Sequence, residues 1–181
     1  MIEKLNQFLS DMLNKEKEYN WHVTKNVILN INSNDLWNII SNPSNLENFH
    51  PFCKKNPTIK WPGIDSIDQI HYYNNMIYER TFYEWTDKKG YKLEIGKKKS
   101  YKSLVYWDIK KEGKKSELSI KIIPHLLNRG KKIIYFFPFF FIVKPRLESY
   151  LDTVFKGLEY HIQTKKKVKK NQFGKHPWFT I

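Results

Sequence analysis

Alanine is absent from the 181 residues, and cysteine occurs once, at Cys53. A single cysteine excludes an internal disulfide and any metal site built from several thiolates, so a reducing compartment is the expected setting. No apolar run approaches the about 20 residues a helix needs to cross a bilayer. Residues 1–20 are polar and amphipathic, without the apolar stretch of a secretory leader, and a cytoplasmic location is expected. Acidic side chains are few beside basic ones, 18 against 32, which leaves a net charge of +14. Two readings of that charge stand. One is an anionic partner, either a membrane surface or nucleic acid. The other is composition alone, since missing alanine with abundant Lys, Asn and Ile is what an AT-rich genome produces. Lysine far outnumbers arginine, the side chain that base reading and phosphate clamping lean on. Nucleic acid is therefore the weaker partner. The six histidines show no HExxH or comparable spacing, and no P-loop, dinucleotide fingerprint, GxSxG or Cys–His frame is present. No metal or cofactor is expected.

Hydrophobic residues make up 40% of the chain, enough for the core of one domain at this length. Aromatics reach 16%, and large rings either fill an awkward core or line a pocket. Helical spacing at Ile2, Leu5, Phe8, Met12 and Leu13 predicts an accessory helix over residues 1–20. From Val23 the period changes to two, with Val27, Leu29 and Ile31 on one face, which is a half-buried strand. Ser33 or Asn34 then caps a short helix over 35–40, and a second covers 44–48. Strands are predicted over 56–61, 68–74, 76–86, 90–97, 102–111 and 117–126. The short turns between them imply an antiparallel meander.

The last element is a long helix over 145–165, opened by Pro145. Leu147, Leu151, Val154, Leu158 and Ile162 form its apolar stripe, which must bury against the sheet. Ahead of it, residues 133–143 read IIYFFPFFFIV, too short to span a bilayer and carrying Pro138, which would break or kink a helix. Two readings stand here: a buried entry into the long helix, or an apolar lid or membrane-touching segment flanked by Lys131, Lys132 and Lys144. Residues 167–181 form a basic and aromatic tail.

Strand, two short helices, strand meander and long helix make an α+β helix-grip arrangement: a curved antiparallel sheet wrapped around the C-terminal helix. Val27 to Trp37 (VILNINSNDLW) resembles the opening of polyketide cyclase/dehydrase-like proteins of the START-like, Bet v 1-like superfamily, also called SRPBCC. Phe49-His50-Pro51, Pro62-Gly63, Glu79-Arg80 and Trp85-Thr86-Asp87 continue the likeness, which places the domain over 21–166. The N-terminal helix, the Phe-rich stretch and the tail lie outside that pattern and suggest a separate bacterial subgroup. The resemblance implies a cavity between sheet and helix for a hydrophobic or amphipathic molecule, such as a lipid or polyketide-like compound. It does not imply catalysis, because the fold hosts carriers and receptors as well as enzymes.

Tyr72, Tyr78, Arg80, Phe82, Tyr106, Trp107, Leu151 and Phe155 are the expected ligand-binding residues. Adjacent strand residues face opposite ways, so either Arg80 enters the cavity, as an anchor for an acidic head group or as a structural ion pair, or Glu79 does, as an acid or base. Glu79, Asp108 and His50 are the catalytic candidates of a cyclase or dehydratase alternative. Asp108 has an outward reading too, beside Lys110. A third alternative is an interaction module at an anionic membrane surface.

Overall fold

The computed structural model describes residues 14–180, so most of the helix expected over 1–20 lies outside them. The elements run β1 (Val23–Leu29), α1 (Ser33–Ser41), α2 (Leu46–Phe49), β2 (Cys53–Lys55), β3 (Thr58–Lys60), β4 (Ile67–Tyr72), β5 (Ile77–Thr86), β6 (Gly90–Gly96), β7 (Ser103–Glu112), β8 (Lys115–Ile123), α3 (Lys132–Pro138), a π-helical turn (Phe139–Val143) and α4 (Lys144–Thr164). Strands β4 to β8 form the expected meander, and β1 pairs antiparallel with β8. Short turns leave each of these strands no partner but its neighbour, so the sheet is antiparallel throughout. It curls around α4, the helix-grip α+β fold.

The stripe on α4 does what its spacing requires. Leu147, Leu151, Val154, Leu158 and Ile162 are buried against the sheet, each contributing about 1.5–3 kcal/mol of apolar transfer. Gly157 marks the tightest crossing, where a Cβ would lie 2.1 Å from the Phe49 carbonyl oxygen at the end of α2. Only a residue without a side chain lets helix and loop approach so closely. Lys25 of β1 pairs with Asp152 and ties the helix to the opposite sheet edge.

Four expectations change. The cap of α1 is Asn32, whose side chain accepts from the Asp35 amide at 3.0 Å, one residue before Ser33. The strand expected over 56–61 is shorter, β3 over Thr58–Lys60, and a second short strand, β2, precedes it where a loop was expected; the Asn56-Pro57 step separates the two along β4. Pro145 does lie in the first turn of the final helix, but that helix is not a fresh start: the chain is already helical from Lys132, with Pro138 just before the π turn and Pro145 just after it. Residues 133–143 are not a buried entry: Phe139 and Val143 are buried, while Ile133, Phe137 and Phe141 are 84, 67 and 71% exposed.

The outer face of the sheet is covered in part by the N-terminal segment. Glu16 accepts from Tyr106 at 3.0 Å and Lys121 at 2.6 Å. Tyr19 donates to the Lys102 carbonyl at 2.7 Å. After α4, Lys165 takes a left-handed φ of 58° and turns the chain back. The tail bonds Asn48 and Pro51 in passing and ends against the start of α4, where Arg146 lies over the Trp178 ring.

Candidate functional site

A cavity of about 450 Å³ lies between the sheet and α4, within the roughly 300–1,000 Å³ usual for small-molecule pockets. Strand alternation builds its walls in pairs two residues apart: Ile70 and Tyr72, Tyr78 and Arg80, Leu93 and Ile95, Val105 and Trp107, Ile120 and Ile122. Leu147, Tyr150, Leu151 and Val154 close it from α4, and Trp178 and Phe179 of the tail close one side. The half-exposed Leu126, in the loop after β8, marks its rim.

Arg80 is the single formally charged residue of this lining, and it is already matched. Its Nε donates to Asp68 Oδ1 at 2.7 Å and a second nitrogen meets Oδ2. The two sit directly across from one another in β4 and β5. Both are out of solvent, Arg80 at 3% and Asp68 at 0% exposure. Burial disfavours the guanidinium, but the carboxylate beside it more than offsets that and holds Arg80 charged. The head-group anchor and the structural ion pair are thus one object, with the acidic partner built into the protein.

The remaining polar groups are neutral. His50, at the end of α2, lies wholly inside, and burial first, then the Arg80 charge, lowers its pKa to about 3. The Phe52 amide points at its Nδ1 at 3.3 Å. An amide N–H can only donate, so Nδ1 accepts and the proton resides on Nε2. Nε2 then donates to the Tyr150 hydroxyl at 2.7 Å. Tyr150 in turn hydrogen-bonds Tyr72. Burial raises the pKa of both tyrosines, so this row carries hydrogen-bonding protons and no net charge.

Of the residues named from sequence, Tyr72, Tyr78, Arg80, Trp107, Leu151 and His50 converge on the cavity. Others do not. Phe82 faces inward but is packed among Trp61, Trp85 and Tyr91 with ring centroids 5.0–5.6 Å away, in the solid aromatic half of the interior. Phe155 is buried in the core without lining the cavity. Tyr106 points outward, between Lys92 and Lys121, because its neighbour Trp107 points in. Asp108 is exposed on the same outer face, and Glu79 alternates outward from Arg80. Of the three catalytic candidates, His50 alone meets the cavity. Sequence reasoning missed Tyr150 as a polar group, the tail residues Trp178 and Phe179, and the aliphatic pairs on β6 and β8 together with Val105 on β7. Those pairs were readable as i, i+2 alternation; the tail was not, because nothing in its sequence names its docking place.

Among the described residues no cluster of three or more His, Cys, Asp or Glu is arranged to hold a metal, and no helix is long and apolar enough to cross a membrane.

No family model matches the sequence, and no curated protein matches it. Solved structures do. The chain is similar to the di-domain ARO/CYC BexL from the BE-7585A biosynthetic pathway, with a TM-score of 0.64 and 7% identity over 81% of this chain and 48% of that one. DynU16, from the dynemicin biosynthetic locus, gives 0.62 at 9% identity, covering 84% of this chain and 52% of that one. This chain thus spans about half the length of those two proteins. A START superfamily protein from Mycobacterium smegmatis gives 0.59 at 12% identity, over 80% of this chain and 99% of that one. The chain therefore shares the helix-grip fold of these proteins, a START-like architecture.

Proposed function

We propose that the protein binds a neutral, mainly apolar small molecule with one or two oxygen functions, a lipid- or polyketide-like compound, in the cavity between sheet and α4. The observation that carries this reading is the lining: aliphatic and aromatic walls, one charge already neutralised by Asp68, and a His50–Tyr150–Tyr72 row of neutral donors and acceptors. An anionic ligand would find its natural counter-charge taken. An alcohol, ketone or quinone oxygen finds hydroxyl partners in a site that excludes most water. The fold likeness to BexL and DynU16, both from biosynthetic settings, supports a ligand-binding or cyclase role in general. Binding is the reading preferred here because Glu79 and Asp108, the carboxylates an acid–base pair would need, lie on the outer face.

Titration with Nile red, a neutral dye whose emission rises in apolar surroundings, tests it. Leu151→Trp puts an indole into the cavity from α4 and is expected to weaken dye binding at least tenfold while the protein stays folded by circular dichroism. Undiminished dye binding by a folded Leu151→Trp protein would overturn the reading.

A further inference from the structure

The segment 132–143 carries a second apolar surface, turned away from the core. Ile133, Phe137 and Phe141 recur at steps of four along one side, with the two phenyl rings stacked at 5.8 Å. Phe139 and Val143 occupy the opposite side and are fully buried. Trp21 packs edge-on against Phe136 and Phe140 and over Phe139, so the segment is fixed to the body rather than loose. Ile134, Phe136 and Ile142 extend the exposed patch. A solvated helix would carry polar side chains here; a patch of this size on a fixed element marks an interaction surface.

The charge around the patch is predominantly positive. No carboxylate occurs from Leu118 to Leu147, a stretch that holds Lys121, Arg129, Lys131, Lys132, Lys144 and Arg146. Arg129 and Lys144 are paired, with Glu18 and Glu148. Lys131 and Lys132 stand exposed at the start of the segment. The β6–β7 turn adds Lys97, Lys98 and Lys99, all exposed, and is linked to this region by Tyr101, which lies 4.1 Å under the Arg129 guanidinium.

We infer that residues 132–143 form a docking surface for an anionic lipid bilayer, with Ile133, Phe137 and Phe141 entering the acyl boundary and the lysines meeting the head groups. A second copy of this chain is the poorer occupant, because face-to-face pairing would bring two cationic rims together in a protein of net charge +14. Twelve helical residues extend only about 18 Å, so the segment lies in the interface and does not cross a core of about 30 Å. The loop that edges the cavity at Leu126 leads directly into this segment. Docking therefore seats the cavity rim on the membrane, a consequence that rests on the binding reading above; the docking itself does not.

Sedimentation with sucrose-loaded vesicles tests it, comparing pure phosphatidylcholine with 30% phosphatidylserine. The full chain is expected to partition at least tenfold better to the anionic vesicles, and to lose that preference in high salt. Ile133→Ser, Phe137→Ser and Phe141→Ser together are expected to lower partitioning at least tenfold while Nile red binding in the cavity is retained, which separates failure of docking from failure of the cavity reading. Lys131→Glu with Lys132→Glu is expected to reduce binding to the anionic vesicles selectively. Absence of vesicle binding, binding unchanged by the triple substitution, or a dimer in light scattering that the triple substitution disperses without any vesicle binding would each overturn the inference.

Discussion

Replacing Asp68 by Asn keeps the shape of the side chain and removes its charge. Arg80 is then a guanidinium at 3% exposure without its counter-ion, and it cannot escape by losing a proton. Removing one member of a buried pair costs about 3–5 kcal/mol. Coulomb's law gives a similar figure, about 4 kcal/mol for unit charges about 4 Å apart at an effective dielectric of about 20. Neighbouring Phe82 offers the cation its ring face at 5.2 Å, worth about 1–2 kcal/mol and already present in the parent protein. The expected result is a fall in the urea midpoint of about 2 M, at a slope of about 2 kcal/mol per M. Replacing both residues together, Asp68→Leu with Arg80→Met, is expected to recover most of the loss, because the pair's attraction and its desolvation nearly cancel. Where the Asp68→Asn protein remains folded, its cavity holds an unmatched cation, and it should now prefer a long-chain carboxylate over the corresponding methyl ester. A loss of under about 1 kcal/mol, with no change in ligand preference, would refute the reasoning: Arg80 would then be solvated through the cavity rather than held by Asp68.

Two more outcomes follow from the same packing. Gly157→Ala is expected to destabilise by about 1–3 kcal/mol through its clash with the Phe49 carbonyl, although helix propensity alone favours Ala by about 1 kcal/mol; a higher melting temperature would contradict the close crossing of α4 over α2. His50 binds its proton far less readily folded, at a pKa of about 3, than unfolded, at about 6.5. The unfolded chain therefore carries the extra proton between those values, and stability is lost as pH falls from about 6.5 towards about 3, by up to about 1.4 kcal/mol per pH unit from this residue. His22, His125 and His176 are shifted the same way by burial. His50→Gln should flatten the slope of urea midpoint against pH without abolishing it.

The fold was legible because it rests on local periodicity. Alternation over β4 to β8 and the steps of four and three on α4 fix what each element buries, and short turns fix the neighbours. The cavity was legible only in part. Alternation could say that Glu79 and Arg80, or Tyr106 and Trp107, face opposite ways; it could not say which of each pair faces α4, since that depends on register against strands distant in sequence. Phe82 faces inward as expected, yet Trp61 packs over it from a remote loop, and nothing local distinguishes a ring in solid packing from one on a cavity wall. For residues 133–143 the sequence leaves a buried entry and an exposed apolar segment undecided, because hydrophobicity reports the preference of a side chain and not its available partners. Asp68 went unremarked because its role exists only opposite Arg80.

The π turn at Phe139–Val143 holds one residue more than an α-helical turn would. An i→i+5 turn closes over five residues where an α-helical turn closes over four, so the surplus residue is taken up locally and the helices on either side keep their phase. Phe139 and Val143 therefore stay on the buried side in line with Leu147 and Leu151 of α4, while Phe137 and Phe141 stay outside. The turn works as a spacer: it admits one more side chain to this stretch of helix without turning the exposed face of α3 toward the core or the buried face of α4 toward solvent.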